Sequence, residues 1–288
     1  MANSLWLDSR LTYKQEAMEN LSYYHYASVY QGTFGSVETD KAMQTWLNAN
    51  TGGLLKESVG SITLPSETVL ALVSTVYFQS KWSTAFSAGQ NTQDLFHAPG
   101  GDVTCTYINQ KEAQMYYYWG DSFGAVALGL KNGSRMWLIL PDEGKTTGDV
   151  LLDVQYLEMI TGANVYRETS GKYVKVNLSM PKFDVRSSGD LKTGLQKLGI
   201  TRVFDMKTAD FSPSLGDSVP AFVSSVNQAA RVTVDEEGVK AASYIEMPTA
   251  GAAAPPEEII DFTLDRPFLF VIASASGLPL FAGVVNQP

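Results

Sequence analysis

In parts of the chain hydrophobic residues occupy every second position, which is the pattern of strands with one buried face. The cleanest case is residues 172–180, whose apolar side is made by Val174, Val176, Leu178 and Met180. The stretch 67–82 is apolar on both sides and β-rich, so it predicts a strand buried inside a sheet. Further strands are predicted at 3–8, 25–31, 102–108, 112–119, 124–130, 134–140, 221–234, 258–264, 267–275 and 279–286.

Apolar residues spaced three and four apart predict three helices. Residues 38–48 place Ala42, Met43, Trp46 and Leu47 on one face, and Gly52 and Gly53 end this helix. The other helices are predicted at 13–22 and at 190–198, where Leu191, Leu195 and Leu198 point inward and Gly199 closes the helix. Many strands with few helices favour an α+β fold with large antiparallel sheets. No Gly/Pro/Ser-rich linker divides the chain, so residues 1–288 are predicted to form a single domain.

Composition excludes several classes of function. The chain has 288 residues, a net charge of −9 and no basic cluster above two or three residues, which argues against nucleic-acid binding. No run of 18 apolar residues occurs, so no membrane span is predicted. Cys105 is the single cysteine, and no internal disulfide can form. His25 and His97 are the only histidines, and no metal or cofactor motif is found, so we expect neither a metal nor a cofactor.

One short motif could indicate an enzyme. "GDSFG" at 120–124 fits the G-x-S-x-G pattern of a hydrolase nucleophile elbow, with Ser122 as the nucleophile. That elbow needs a helix after it and a later histidine, but a strand is predicted to follow and both histidines precede Ser122. The alternative interpretation, which these observations favour, is a hairpin turn.

The stretch "DEEGVKAASYIEMPTAGAAAPPEEIIDF" at 235–262 connects two predicted strands, although it is too long for an ordinary hairpin. Gly238 can absorb a large change of backbone direction. From Val239 onward, one set of alternate positions is small or apolar: Val239, Ala241, Ser243, Ile245, Met247 and Thr249. A plain surface connection needs no such alternation. The pattern therefore raises the hypothesis of a loop that can become a strand.

Several motifs carry a resemblance to a known family: "VDEEGVKAAS" at 234–243, "DFTLDRPFLFVI" at 261–272, "GLPLFAGVVNQP" at 277–288, "VYFQSKW" at 76–82, "ILPDEG" at 139–144 and "LGITRVFD…ADFS" at 198–212. With these motifs in colinear order, the chain resembles a serpin, a member of the serine-protease-inhibitor superfamily. It looks like a microbial member that lacks the N-terminal helices. The resemblance implies the serpin fold, with large mostly antiparallel sheets, several helices and an exposed reactive-centre loop at about 238–257.

The resemblance also implies a mechanism without catalysis. A serine protease attacks the exposed loop and forms an acyl-enzyme. The cut loop then inserts as a new strand between the segments 67–82 and 221–234, and the protease is distorted before it can deacylate. The protein is in this view a suicide substrate, a monomer that needs no cofactor and is secreted or extracellular.

Residue roles carry over by matching motif positions. Glu236, Glu237 and Gly238 form the hinge, and insertion is led by Val239, Ala241, Ala242 and Ser243. Counting along the loop places the scissile bond at Ala252–Ala253, which implies an elastase-like target with a shallow pocket. Trp82 is expected at the top of the sheet where the loop enters. Ser74 and Gln228 stand where many members pair an asparagine and a histidine as the sheet opens.

Departures from the family pattern leave alternatives open. The family's N-terminal helices pack behind the large sheet, and without them an apolar sheet face is expected to be exposed. Within the loop, Tyr244 stands where alanine is common, and Pro248 cannot donate a ladder hydrogen bond. The rival hypotheses are a non-inhibitory serpin with a binding or carrier role, an inactive truncated remnant, and a Ser122 hydrolase.

Overall fold

A computed structural model describes residues 2–54, 56–60, 62–75, 77–162, 169–215, 220–224, 226–239 and 257–288. The chain divides into two compact units: one is Met1–Tyr77 with Arg186–Arg231, the other Phe78–Val185 with Val232–Pro288. The prediction of a single domain over 1–288 stays a prediction.

Five residues with predicted roles lie outside the described residues: Ala241, Ala242, Ser243, Ala252 and Ala253.

The first unit contains a three-stranded sheet and several helices. Its elements before residue 78 are β1 (Ala2–Asp8), α1 (Gln15–His25), β2 (Ala27–Gly32), α2 (Val37–Asn50), α3 (Lys56–Val59) and β3 (Leu70–Thr75). The strand order is β2-β1-β3, with β1 parallel to β2 and antiparallel to β3. Helix α2 packs an apolar cluster against this sheet, made by Trp6, Phe34, Met43, Leu47, Val59 and Leu64.

The helix predicted at 38–48 is confirmed as α2, with one correction. Ala42 is exposed, while Met43 and Leu47 are buried and Trp46 is half-buried. Gly52 and Gly53 follow the helix with φ of 58° and 74°, values that favour glycine. The strand prediction at 67–82 is wrong in extent. The structure has two short strands there, β3 and β4 (Ser80–Lys81), which belong to different sheets.

Strand β3 is also not buried inside a sheet in the described part of the chain. It stands at the end of its sheet, and Leu72 is 64% exposed. An apolar run shows that a strand can be covered on both faces, but it carries no information on whether a neighbour pairs with each edge. This is why the sequence pattern overestimated its burial.

Between residues 183 and 234 the chain forms β10 (Phe183–Asp190), α6 (Lys192–Lys197), α7 (Ser212–Leu215) and β11 (Asn227–Val234). The prediction of three inward leucines on the helix at 190–198 is wrong at two positions. Leu191 and Leu198 are 40% and 80% exposed, because α6 has only six residues and both leucines lie beyond its ends. Gly199 follows with φ 91° and closes the helix as predicted.

The second unit is built around an eight-stranded sheet. Its remaining elements are β5 (Thr92–Ala98), β6 (Gly101–Trp119), β7 (Phe123–Gly129), β8 (Arg135–Pro141), α4 (Thr147–Leu152), α5 (Val154–Thr161), β9 (Gly171–Pro181), β12 (Gly238–Val239), β13 (Ile259–Thr263), β14 (Phe268–Ala273) and β15 (Pro279–Val285). The strand order is β13-β9-β6-β7-β8-β14-β15, and β5 pairs with β6. The alternation predicted for 172–180 is confirmed, since its four apolar residues are at most 1% exposed.

Two predicted strands, 102–108 and 112–119, are one continuous strand. In β6 a bulge lies between Gln110 and Ala113, where Lys111 and Glu112 stand opposite the single residue Asn177 of β9. Glu112 adopts φ 48° there. Where β6 pairs with β9, its inward side chains have even residue numbers before the bulge and odd numbers after it. In the sequence this shift in the alternation looks like a break between two strands. Strand β5 and helices α4 and α5 had no sequence prediction.

The α+β class is confirmed, with helices around large, mainly antiparallel sheets. A third sheet of four strands has the order β10-β11-β12-β4. Among the helices of the described ranges, none combines the length and apolar character needed to cross a membrane.

Candidate functional site

The segment from Asp235 to Val239 makes a tight reversal directly after β11. The Asp235 side chain holds the turn, because its Oδ1 accepts hydrogen bonds from the backbone N–H of Glu237 at 2.8 Å and of Gly238 at 3.2 Å. Asparagine and aspartate commonly stabilise turns in this way. The reversal brings Val239 back to pair with Val234 of β11.

The two residues after the turn form the short strand β12, which lies between two other strands. Gly238 pairs with Lys81 and Val239 with Ser80 on one side, and Val239 pairs with Val234 on the other. Val239 is only 4% exposed and belongs to the main apolar core of this unit. Gly238 of the predicted hinge and Val239, the first residue of the predicted insertion segment, thus already form a sheet strand.

Backbone atoms of β4 lie so close to position 238 that there is no room for a side chain, so the position requires glycine. A Cβ at this position would meet the Ser80 carbonyl oxygen and would come within 2.5 Å of Lys81 Cα. Its φ of 144° also lies in a region that side chains with a Cβ rarely adopt. Any other residue would push β12 and β4 apart.

Trp82 directly follows β4 and links this strand to the turn at residues 235–239. It is 1% exposed, and its Nε1 donates a hydrogen bond to the Asp235 carbonyl at 2.8 Å. Its backbone N–H donates to the Glu237 carbonyl at 3.2 Å. The indole also makes an edge contact with Phe86 at a centroid distance of 5.8 Å. Trp82 therefore lies where the predicted loop leaves the sheet.

The carboxylate of Glu236 is held by two polar side chains. Lys182 Nζ lies 2.5 Å from Glu236 Oε1, and Asn91 donates its amide hydrogen to the same oxygen. The Glu236 side chain is only 17% exposed. Burial by itself raises the pKa of Glu236, but the hydrogen bonds from Lys182 and Asn91 outweigh it and leave the pKa below its ordinary value. This glutamate is ionised at neutral pH and fixes the turn to its surroundings.

Glu237, the next residue, has a different environment. Its side chain is 78% exposed, and its distance to Lys81 Nζ is 3.6 Å. Exposed pairs of this kind contribute little to stability. The two neighbouring acids of the predicted hinge are therefore not equivalent, and Glu236 makes the stronger contacts.

The strand beside β12 is held on both of its edges. On the side away from β12, the Lys131 N–H donates to the Lys81 carbonyl at 2.8 Å, and the Ser83 N–H donates to the Gly129 carbonyl at 2.9 Å. Trp82 also forms an isolated antiparallel bridge with Leu130. The turn between β7 and β8 thus fixes this strand, while β12 occupies its opposite edge.

The remaining predicted site residues lie in the first unit. Ser74 donates a hydrogen bond from its hydroxyl to Asn3 Oδ1 at 2.7 Å, and Gln228 is exposed. Their predicted role at the opening of the sheet stays a prediction.

The structure confirms a hairpin turn at Ser122. The residue lies between β6 and β7, is 6% exposed, and donates its hydroxyl hydrogen bond to Asp153 Oδ2 at 2.7 Å. Asp153 also caps α5 by accepting from the Gln155 N–H. His97 pairs with Asp102 at 2.8 Å. Among the described residues, no group of three or more His, Cys, Asp or Glu side chains is placed to hold a metal ion.

Sequence reasoning missed three residues of this site: Asp235, Asn91 and Lys182. Asp235 carried a usable signal, because aspartate three residues before glycine is common in turns. Asn91 and Lys182 lie far from Glu236 in the chain, and nothing in their own neighbourhoods marks them as partners of an acid.

Comparison with known proteins extends this description. The family model described as "Serpin (serine protease inhibitor)" matches residues 1–288. Alpha-1-antiproteinase S of Cavia porcellus is 28% identical over 294 residues, which covers 99% of this chain and 68% of the relative. Plasminogen activator inhibitor 1 of Sus scrofa is 30% identical over 263 residues, covering 87% of this chain and 63% of the relative.

A solved structure shares the fold. The native state of the thermophilic serpin tengpin superposes with a TM-score of 0.83 at 24% sequence identity. The match covers 100% of this chain and 73% of the tengpin chain. At this level of identity, the likeness shows the fold alone.

Proposed function

This chain belongs to the serpin family, and on that premise we propose that it inhibits elastase-like serine proteases as a suicide substrate. The family model describes inhibitors of serine proteases. In the proposed mechanism the inhibitor is consumed as a substrate and is not itself a catalyst. The observation that carries the proposal is β12. The first residues of the reactive-centre loop are already paired between β4 and β11, so the loop has a place in the sheet to extend from.

The proposed mechanism begins with attack of the protease serine on the Ala252 carbonyl. The bond to Ala253 breaks, and the protease remains attached to Ala252 as an acyl-enzyme. The loop then extends β12 as a full strand, beginning with Ala241, Ala242 and Ser243. Addition of a strand satisfies backbone groups along exposed sheet edges, and this supplies the driving force.

Two edges are open to such a strand in the described part of the chain. β3 ends its three-stranded sheet, and β11 pairs with β12 at Val234 alone. The alternate residues of the loop that would point inward after Val239 are small or apolar. A dry, close-packed interior accepts such residues without voids or unpaired polar groups.

The specificity proposal depends on the composition of the loop. Gly251, Ala252, Ala253 and Ala254 surround the proposed bond, so an error of one position still leaves a small residue before it. A trypsin-like protease requires arginine or lysine there, and none occurs between Lys240 and Arg266. We assign the target to proteases with a shallow primary pocket. We further propose a monomeric protein in an extracellular location, where such proteases act.

The proposal is tested by incubation with pancreatic elastase. We expect a complex that survives SDS denaturation and a released C-terminal peptide that begins at Ala253. Cleavage of the loop without protease attachment should also raise Tm. At about 1 kcal/mol per added hydrogen bond and about 2–4 °C per kcal/mol, five added backbone hydrogen bonds correspond to about 10–20 °C.

The rival hypotheses give different outcomes in the same experiment. A non-inhibitory serpin would be cut without forming the SDS-stable complex. An inactive remnant would neither form the complex nor gain stability after cleavage. A peptide starting away from Ala253 and its immediate neighbours would show that the register of the loop is wrong.

A further inference from the structure

The two short helices that cover one face of the large sheet carry more apolar side chains than the core uses. Helices α4 and α5 meet at Asp153, which ends the first helix and caps the second. Eight apolar residues occur between 150 and 160, and four of them pack into the core: Val150, Tyr156, Met159 and Ile160. The other four are between 51% and 88% exposed: Leu151, Leu152, Val154 and Leu157. We call these four exposed side chains the helix-junction patch.

The helix-junction patch is contiguous. Val154 and Leu157 are three positions apart on α5, and side chains at this spacing are neighbours on one side of a helix. Leu151 and Leu152 come immediately before the cap of α5, and two residues of chain span at most about 7 Å, so Leu152 lies beside Val154. Single exposed apolar residues are common on protein surfaces, whereas a contiguous group of them marks an interaction surface.

The backbone that presents the patch is fixed at the start of both helices. Thr146 and Asp149 form a reciprocal capping box at the start of α4. At the start of α5, the Asp153 carboxylate accepts hydrogen bonds from the Gln155 N–H at 2.9 Å and from the Ser122 hydroxyl at 2.7 Å. A surface that is ordered before binding loses little conformational freedom when a partner covers it.

The surroundings of the patch are acidic. Between residues 142 and 161 the chain has a single basic residue, Lys145, and five acids: Asp142, Glu143, Asp149, Asp153 and Glu158. Asp149 and Glu158 are exposed. Hydrogen bonds from the Thr146 hydroxyl and N–H hold the pKa of Asp149 below its ordinary value, so this carboxylate is ionised at neutral pH. A partner that matches this surface has apolar anchors with lysine or arginine around them.

The same charges disfavour two other occupants. In a symmetric dimer the patch would meet its own copy, and the acids of the two copies would repel each other. An anionic membrane would repel the acids as well. Helices that lie on membranes carry lysine and arginine on their polar side, and α4 and α5 contain neither.

We propose that the helix-junction patch binds a basic protein segment, an amphipathic helix with apolar residues at i, i+3, i+4 and i+7 and with lysine or arginine beside them. The apolar residues of this helix cover Leu152, Val154 and Leu157. Its basic residues lie beside Asp149 and Glu158. Stable interfaces use about 20–30 residues on each side, so a patch of this size makes a transient contact. The contact does not involve the reactive-centre loop and is independent of the proposed function.

The probe is a fluorescein-labelled helical peptide with leucine at the four apolar positions and lysine beside them. Its binding to the full chain is measured by fluorescence anisotropy. We expect saturable binding that weakens as the salt concentration rises from about 50 mM to about 500 mM, because exposed charges are screened. A peptide with glutamate in place of each lysine should not bind, since it meets the acids of the patch with like charge.

Variants of the chain locate the contact. The double variant Leu152→Ser, Leu157→Ser should weaken binding of the lysine peptide by about 5- to 30-fold, as the loss of interface hot spots does. Glu158→Lys should weaken it by about 2- to 10-fold. Leu95→Ser is the matched control, because Leu95 is also exposed, at 45%, but lies opposite Thr104, fourteen residues along β6 from the Tyr118 that packs beneath α4 and α5. It should leave the affinity unchanged.

Further measurements separate this contact from folding and from the other occupants. All variants should melt within a few degrees of the wild type, because the replaced side chains are exposed. Equal binding of the lysine and glutamate peptides overturns the proposal, and so does wild-type affinity in the double variant. Self-association in sedimentation equilibrium that the double variant abolishes would make a second copy of the chain the occupant. Flotation of the wild type with phosphatidylcholine vesicles, lost in the double variant, would make it a lipid surface.

Discussion

Glu236→Ala is expected to destabilise the protein far more than Glu237→Ala, although the two residues are adjacent and chemically identical. Removal of the Glu236 carboxylate takes the hydrogen-bond acceptor from Lys182 and from Asn91. Asn91 Oδ1 is buried and has no hydrogen-bond partner among the described residues. The substitution would also remove the acceptor of the Asn91 amide N–H, because that group donates to Glu236. Buried polar groups without partners are costly.

The size of the effect follows from exposure. The Glu236 side chain is 17% exposed and that of Lys182 36%, so water partly replaces the lost contacts. Hydrogen bonds to charged groups contribute about 1.5–3 kcal/mol, and partial exposure of Lys182 lowers the expected loss to about 2 kcal/mol. This corresponds to a decrease in Tm of about 4–8 °C. Glu237→Ala removes a carboxylate that is 78% exposed and 3.6 Å from Lys81. Its expected cost is below about 0.5 kcal/mol.

The assay is urea unfolding at pH 7, followed by circular dichroism, with the uncut protein. A double-mutant cycle with Lys182→Ala measures the coupling between Lys182 and Glu236 and separates it from the contribution of Asn91. Equal loss of stability in Glu236→Ala and Glu237→Ala would refute the reasoning. So would a coupling near zero accompanied by a full loss in Glu236→Ala, since the loss would then not depend on Lys182.

The other predictions concern the pH dependence of stability, the backbone at Gly238 and the alternative hypothesis of a Ser122 hydrolase. The pKa of Glu236 lies below its ordinary value of 4.5, so its stabilisation is present above that pH and is lost as the pH falls through the lowered value. The difference in unfolding free energy between wild type and Glu236→Gln should therefore be constant from pH 6 to 7 and shrink below about pH 4.5, as urea titrations would show. Gly238→Ala should cost about 1–3 kcal/mol in the same assay, because of its φ and the nearness of β4. The control Gly194→Ala has open space and lies in α6, so it should be neutral or stabilise by up to about 1 kcal/mol. Ser122→Ala should leave elastase inhibition unchanged and cost about 1 kcal/mol through the lost bond to Asp153; any hydrolytic activity that disappears with this variant would support the enzyme hypothesis instead.

Local patterns predicted the parts of the fold that depend on a single segment. The buried side of β9 follows directly from alternation, and the end of α2 follows from Gly52 and Gly53. Patterns failed where the outcome depended on a neighbour. The edge position of β3 and the exposure of Leu198 are determined by which other elements lie beside them, and one segment carries no record of that.

The same limit applies to the candidate site. Gly238 could be singled out because glycine can absorb a large change of backbone direction. Trp82 was placed by resemblance, and its bond to Asp235 joins residues 153 positions apart. The difference between Glu236 and Glu237 could not be predicted at all. It depends on Asn91, which is 145 positions away, and on Lys182.

The bulge in β6 has a consequence for length variation in this family. Lys111 and Glu112 together face Asn177, so the strand carries one residue more than a regular ladder needs. Deletion of either residue would keep Gln110 opposite Leu178 and Ala113 opposite Val176, with every inward side chain still inward. Deletion of one residue elsewhere in the same strand would reverse the two faces of everything beyond it. Relatives that differ by one codon in this strand should therefore differ at these two positions.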